Sequence, residues 1–455
     1  MACTGSSAWE LDPSEPETWS AKTAGESAAE PGGVTVVEVD GEPWVIWVTP
    51  LVPPRARPLG GGETIDVGSH AVAGISAADL DGDGATDLVL SGGFQDIRWS
   101  FGTADETSDS VRIGDGHFLR DTAILDIDGD GLLDLLSAYT SSDHTNFSGM
   151  RGGWRRNLGD RTFSDEEALA VDETWWGPAF DATTLDADLD GDTDVYICND
   201  FGPEVVPNGL LRNDGGTLVA ATDTGLELAT SCMGSTFEGT RDDGALDVLV
   251  ATAEKAFLYE SLDGAWVEAG AARGVPILAP NQMAWGAAVD DLDSDGAPDL
   301  VIGTSGFYGL DMPEWPLWVL QQEDGMFTDV GADWGFPTEA TTHGVVVADL
   351  YGDGVPEIIV GDAQRSPWIW DGTGCGGAWL DVEGPLNSVV TVEAGGHSWT
   401  RLLTTEAGWG GARPARAHFG LGDVTTVDRV TVYAPGGAVG TLADVEARRV
   451  VEWAP

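Results

Sequence analysis

One acidic loop, met six times along the chain, constrains the fold more than any other feature. The copies read DLDGDGATDLVLSG from Asp79, DIDGDGLLDLLSA from Asp126, DADLDGDTDVYICND from Asp186, GTRDDGALDVLVA from Gly239, DLDSDGAPDLVIG from Asp291 and DLYGDGVPEIIVG from Asp349. Their first positions lie 47, 60, 53, 52 and 58 residues apart. Each loop sits between short apolar runs, such as residues 75–78 before the first and 88–90 after it. Flanks this short and β-rich cannot supply the paired amphipathic helices of an EF-hand. Repeats of this length predict one four-stranded propeller blade each. A further unit precedes them, with residues 34–39 and 44–48 flanking the turn Asp40-Gly41-Glu42-Pro43. The expected fold is therefore all-β: a seven-bladed β-propeller over residues 33–373, followed by a small β-domain over 374–455. The alternative is a six-bladed ring whose N-terminal strands pair with the last repeat, which looks one strand short. With 63 glycines in 455 residues, the chain has ample material for tight turns between short strands.

Four loops carry Asp at positions 1, 3, 5 and 9 with Gly at 6. They are Asp79, Asp81, Asp83 and Asp87; Asp126, Asp128, Asp130 and Asp134; Asp186, Asp188, Asp190 and Asp194; and Asp291, Asp293, Asp295 and Asp299. Packing carboxylates this closely is costly unless a hard cation sits among them, and alternate residues of a tight loop face a common centre. Calcium accepts six to eight oxygens, and the position-7 carbonyls of Ala85, Leu132, Asp192 and Ala297 can each add one. Magnesium keeps its waters and zinc wants His or Cys, so about four Ca²⁺ ions are expected. The Gly239 loop breaks the pattern with Gly239 and Arg241 at positions 1 and 3, and is expected to be metal-free, with Arg241 paired to Asp243 or Asp247. The Asp349 loop has Tyr351 at position 3 and Glu357 at 9, which leaves its calcium binding open.

Charge narrows the choice of partner. With 77 acidic against 21 basic residues, a net charge of −56, the chain repels nucleic acid and anionic lipid and favours cations and basic surfaces. No run approaches the length of a membrane-spanning helix. The start, Met1-Ala2-Cys3-Thr4-Gly5, resembles the end of a bacterial lipoprotein signal, with Cys3 as the lipidated residue and residues 1–32 as a tether rich in Ser, Glu, Ala, Pro and Gly. This implies an extracellular or outer-surface location, with membrane contact only through that anchor. Cys198, Cys232 and Cys375 define no disulfide framework or zinc spacing, and Cys198 reads as a buried strand residue.

The loops, and especially LDADLDGDTDVYICNDF over residues 185–201, resemble the calcium-loop repeats of the FG-GAP/VCBS family, which form integrin-α-type propellers; the likeness spans residues 70–372. Downstream, GGAWLDVEG (376–384), VVTVEAGG (389–396), RAHFGLGD (416–423) and VDRVTVYAPGG (427–437) resemble the ASPIC/UnbV domain that follows such propellers in bacterial proteins and in cartilage acidic protein. The resemblance implies extracellular calcium-binding proteins of adhesion or recognition and carries over no catalytic residue.

The expected function is accordingly a calcium-binding, non-catalytic recognition or adhesion module for a protein or glycan ligand at the cell surface, its oligomeric state open. Recognition would fall to aromatics in long connectors: Trp154, Trp175, Trp176, Phe307, Tyr308, Trp315 and Trp318, each of which could equally be blade core. Arg151, Arg155 and Arg156 read as a solvated or ion-paired surface rather than a ligand site. The alternative is a lyase-like polysaccharide enzyme with His144 or His343 as base. Against it, the six His form no motif, and no nucleophile elbow, HExxH or phosphate loop is present.

Overall fold

The computed structural model describes residues 9–10, 32–48, 52–112, 117–141, 152–172, 176–262, 265–306, 313–372 and 376–455. Cys3, Cys375, His144, Arg151, Trp175, Phe307 and Tyr308 lie outside the described residues, as does the tether apart from Trp9, Glu10 and Gly32.

The chain folds as an all-β propeller with an appended β-domain. Six four-stranded antiparallel sheets succeed one another: a first (Val34–Val39, Glu42–Trp47, Arg55–Pro58, Ile65–Asp66), a second (Val72–Ala78, Asp87–Gly92, Phe94–Trp99, Thr107–Arg112), a third (His117–Leu125, Asp134–Ser141, Gly153–Arg155, Glu167–Ala168), a fourth (Ala179–Leu185, Asp194–Asn199, Gly209–Asn213, Leu218–Ala220), a fifth (Cys232–Glu238, Asp247–Thr252, Ala256–Leu262, Ala265–Glu268) and a sixth (Met283–Asp290, Asp299–Ser305, Trp318–Glu323, Met326–Asp329). The seventh takes Thr342–Ala348, Glu357–Asp362 and Trp368–Trp370 from the last repeat, and its outer strand, Trp9–Glu10, from the N-terminus. The first strands of successive sheets contact one another, and the first and seventh meet, so the sheets form a ring. Both features weighed from the sequence are thus present: a unit ahead of the acidic loops and an N-terminal strand completing the last repeat.

Burial falls off from the axis outward. The first two strands of the second sheet are buried along their whole length, because neighbouring sheets cover both faces, and they read as unbroken apolar runs. Outer strands such as Ala265–Glu268 and Met326–Asp329 are largely exposed. The first strands of the second to seventh sheets each carry a register irregularity near their N-terminal end, as between Val72 and Gly74 or Cys232 and Gly234.

The C-terminal domain has two sheets. Ala378–Glu383 lies between Ala417–Gly422 and Arg449–Glu452, while His397–Leu403, Ser388–Ala394, Thr426–Ala434 and Ala438–Glu446 follow in that spatial order. The connection between its strands His397–Leu403 and Ala417–Gly422 does something the sequence did not announce. Residues 404–416 form a tight hairpin, with Glu406 bridged to Ala412 and Arg413 N–H bonded to the Thr405 carbonyl at 2.7 Å, whose tip at 408–411 reaches into the ring. Ile75 N–H donates to the Gly410 carbonyl at 3.2 Å, Val36 N–H to Ala412 at 2.7 Å, and Thr184 N–H to Glu406 Oε2 at 2.5 Å. Trp409 packs in a buried cluster with Phe180, Met233, Met283 and Trp285, contributed by the fourth, fifth and sixth sheets. At Gly74 an added Cβ would lie 3.2 Å from the Gly410 Cα and 2.5 Å from the Arg120 carbonyl, so the close approach of this backbone requires glycine.

Cys198 and Cys232 form a disulfide between the fourth and fifth sheets, with Cα atoms 5.3 Å apart. This corrects the sequence reading that the cysteines define no framework. The two lie 34 residues apart in separate repeats, and only the side-by-side stacking of those sheets brings them together. Reduction, or the double change Cys198→Ser with Cys232→Ser, is expected to cost about 2–5 kcal/mol of stability. Chemical denaturation with and without reductant reads it; coincident midpoints would contradict it.

Candidate metal centres

Each acidic loop joins the first and second strands of its sheet, and in all but the Gly239 loop the first carboxylate organises it. Asp79 Oδ1 accepts the N–H of Gly82 at 2.8 Å, and its Oδ2 that of Gly84 at 2.9 Å. The position-6 N–H repeats this bond in four more loops, from Gly131 to Asp126, Gly191 to Asp186, Gly296 to Asp291 and Gly354 to Asp349, at 2.7–3.0 Å. Wrapping the backbone round one carboxylate demands left-handed backbone at position 6, where Gly84, Gly131, Gly191, Gly296 and Gly354 have φ of 84–95°.

Three carboxylates then converge in each four-Asp loop, with oxygens within 4.8 Å of one another: Asp79, Asp81 and Asp87; Asp126, Asp128 and Asp134; Asp186, Asp188 and Asp194; Asp291, Asp293 and Asp295. The position-5 residues Asp83, Asp130, Asp190 and Asp295 accept the N–H of the position-7 residues Ala85, Leu132, Asp192 and Ala297 at 2.8–2.9 Å. The position-9 acid begins the second strand and staples the sheet: Asp87 accepts the N–H of Leu80 and Ser100, Asp134 those of Ile127 and Asn157, Asp194 those of Ala187 and Asn213, and Asp299 those of Leu292 and Gln322. Sequence spacing gave these residues a metal role alone; this second role needs the third strand beside the loop.

Electrostatics favours a cation. Burial, with neighbouring carboxylates adding to it, pushes Asp87 and Asp134 up to about 6, Asp194 to about 7 and Asp291 to about 8, and Asp299 well above the carboxylate range. Asp293 Oδ1 is buried without a hydrogen-bond partner. An all-oxygen donor set with an orphaned buried oxygen fits Ca²⁺, which would be held by the converging trios with the position-5 carboxylates and position-7 carbonyls available to complete the shell. Bound there, the ion supplies charge neutralisation. Basic side chains already approach these loops: Arg161 reaches Asp81 at 2.5 Å and Asp83 at 3.0 Å, and Arg156 reaches Asp128 at 2.8 Å.

The Gly239 loop replaces both the acid and the cation. Its guanidinium, Arg241, pairs with Asp243 and with the buried Asp247, the latter at 2.8 Å. A Cβ at Gly239 would lie 2.9 Å from the carbonyls of Ala245 and Thr400, leaving no room for a side chain. The position-6 N–H, that of Gly244, donates instead to the Ser398 carbonyl of the C-terminal domain at 2.8 Å. A strand of the second domain thus does the organising that a first-position carboxylate does elsewhere. Arg241→Ala strands Asp247 in the interior and is expected to cost about 3 kcal/mol while leaving calcium stoichiometry unchanged. Denaturation and equilibrium dialysis check the two halves; a lost calcium equivalent would contradict the second.

The C-terminal domain rests on three further loops. Gly422 N–H donates to the Ser294 carbonyl at 3.1 Å and Trp399 Nε1–H to that of Gly296 at 2.8 Å; Gly436 N–H reaches Gly191 at 2.8 Å; Arg416 Nη1 reaches the Asp349 carbonyl at 3.1 Å. Gly420 of the HFGLGD string faces Asp291, whose Oδ2 would lie 1.8 Å from an added Cβ. Gly420→Ala is therefore expected to weaken calcium binding at the Asp291 loop, read as loss of one equivalent from the wild-type stoichiometry.

The aromatic candidates fare differently. Trp154 and Trp318 are buried because they lie on the third strands of their sheets, Trp176 is buried in the same core as Trp154, and Trp315 is half-buried. Arg155 and Arg156 are half-buried, Arg156 lying over the Trp154 ring. His343 is fully buried, its Nε2 2.8 Å from Ser305 Oγ and its ring stacked on Trp285.

Residues 241–302 match the sequence profile of an FG-GAP-like repeat and residues 385–454 that of the ASPIC and UnbV domain. No curated protein matches. Among solved structures, the chain is similar to an Agrocybe aegerita lectin whose structure concerns recognition of non-reducing terminal N-acetylglucosamine (15% identity, 82% of this chain and 94% of that one, TM-score 0.43). It is also similar to BBS1N in its complex with ARL6DN (11%, 78% and 95%, 0.48) and to the Dos1 propeller (8%, 75% and 78%, 0.42). The chain thus carries an FG-GAP-like repeat and an ASPIC/UnbV domain on a propeller.

Proposed function

We propose that this protein is a calcium-stabilised, non-catalytic recognition module that works outside the cell, tethered through Cys3, and holds about four Ca²⁺ ions. The observation that carries the reading is the convergence of three carboxylates in each of four loops. An oxidising compartment is supported by the Cys198–Cys232 disulfide. With the core tryptophans removed from consideration, the better candidate surface is an open cleft of about 650 Å³ between the propeller and the C-terminal domain. Asp242, Asp295, Glu323, Asp324 and Asp423 line it, so it suits a protein ligand with a basic surface better than an acidic glycan. A non-catalytic role is supported by the burial of His343, which bonds Ser305 and stacks on Trp285 away from solvent.

Two measurements test this. Metal analysis after dialysis against micromolar calcium should return about four equivalents. Incubation with acidic and neutral polysaccharides should yield no new unsaturated ends, whereas turnover abolished by His343→Ala or His144→Ala would replace this reading with the lyase one.

A further inference from the structure

The first strand of the fourth sheet has a strand partner on one side only, so the N–H groups along its other edge need acceptors from elsewhere. Two acids supply them. Ala182 N–H donates to Asp121 Oδ2 at 3.2 Å, and Thr184 N–H to Glu406 Oε2 at 2.5 Å. Alternate residues of a strand lie about 7 Å apart, so Asp121 of the third sheet and Glu406 of the 404–416 hairpin sit side by side along one edge. Asp181, on the same strand, accepts the N–H and Oγ–H of Ser235 from the fifth sheet at 2.9 and 3.1 Å, and its carboxyl is hydrogen-bonded to that of Asp121. Asp121 and Asp181 are 6% and 3% exposed, and Glu406 Oε1 is buried without a hydrogen-bond partner.

Two carboxyls joined by a hydrogen bond need one proton between them, and a buried carboxyl oxygen that no donor reaches is cheaper neutral than charged. Burial raises Glu406 well above the carboxylate range against the Thr184 bond, with the charges of Asp121 and Asp181 adding to it. Burial likewise raises Asp121 and Asp181, the latter further through the charge of Asp121. The basic groups on the elements packed here are engaged with other partners. Arg120 lies over the rings of Phe118 and Phe180 at 5.4 and 4.4 Å, Arg413 of the hairpin itself pairs with the buried Glu238, and Arg401 donates to the Gly239 carbonyl. His343 approaches the hairpin through the Trp409 ring, 6.0 Å away. The second sheet meets Asp121 with Ser76, and the turn before Ser388 meets Thr184 with Asn387, both uncharged. Acids that hold protons more tightly in the folded state support it at low pH and withdraw that support as pH rises through their raised values.

We propose that the 404–416 hairpin is a pH-sensitive plug, seated firmly in the ring while Glu406 and one member of the Asp121–Asp181 pair carry protons, and loosened when they lose them. Deprotonation sets three like charges around one strand edge, and the hairpin is the element that can leave without breaking a sheet. The inference stands apart from the calcium reading, because it is read in saturating Ca²⁺ and as a difference from a variant that keeps every loop acid.

The test is amide hydrogen exchange of the full chain in millimolar Ca²⁺ at about pH 5.5 and about pH 8.5, corrected for the intrinsic pH dependence of exchange. The N–H groups of Val36, Ile75 and Ala412 bond across the contact between hairpin and ring. They are expected to lose at least tenfold in protection at the higher pH, while amides between the strands of each sheet keep theirs. Glu406→Gln retains an acceptor for Thr184 without the charge, and is expected to hold the protection of all three at both values. Equal protection of the wild type at the two values, or the same loss in folded Glu406→Gln, overturns the proposal. Should that variant not fold, the wild type decides alone: a loss confined to the hairpin contacts supports the plug, whereas none, or one uniform over all the sheets, sinks it.

Discussion

Stripping calcium with a chelator is expected to lower the melting temperature by about 10 °C. An ion at a hundred times its dissociation constant contributes about 2.7 kcal/mol to the folded state. Four such ions contribute on the order of 10 kcal/mol, and for a chain this long each kcal/mol moves the midpoint by roughly 1 °C. The sign follows from geometry: the loops bring Asp79, Asp81 and Asp87, and their counterparts, to within 4.8 Å only in the folded state. Scanning calorimetry in millimolar Ca²⁺ and in EDTA measures it, and superimposable transitions would refute the role given to the loops. Refilling with Mg²⁺ should restore little of the loss, since that ion dehydrates reluctantly.

The second large effect belongs to Trp409. Trp409→Ala is expected to cost about 3–5 kcal/mol, the range for deleting a large buried aromatic. Its ring centroid lies 4.7 Å from that of Trp285 and 5.5 Å from that of Phe180, and it is 4% exposed. The cavity left would lie inside the ring, so the variant should also bind an apolar dye that the wild type excludes. An unchanged denaturation midpoint would show that the hairpin is an ornament and not part of the core.

What the sequence conveyed and what it hid divide by range. The repeat was plain because each acidic loop is local: the ligand spacing, the position-6 glycine and the strand that follows all lie within a dozen residues. The ion pair from Arg241 to Asp243 and Asp247 was readable for the same reason. The cross-strand clamp of the position-9 acids was hidden, since Ser100 or Gln322 reaches its loop only across the sheet. So were the Cys198–Cys232 bond and the Asp121–Asp181–Glu406 cluster, whose members lie in separate repeats or domains. The run EAGWGGAR at 406–413 held a signal that went unread: three glycines around one tryptophan suit a backbone squeezed between other backbones. Trp154, Trp176 and Trp318 took the blade-core alternative, because proximity to a long connector does not tell whether a tryptophan begins a strand or turns inward.

The hairpin also sets an order of events during synthesis. Residues 404–416 come after every strand of the ring, yet the inner strands pack around them, and the outermost strand of the seventh sheet is supplied by Trp9–Glu10. The ring therefore cannot reach its final packing until residues 404–416 have left the ribosome. Contacts this distant along the chain make for slow closure. An incomplete ring with open strand edges must persist until the C-terminal portion emerges, and this is the stage at which such a chain is exposed to aggregation and most in need of a chaperone.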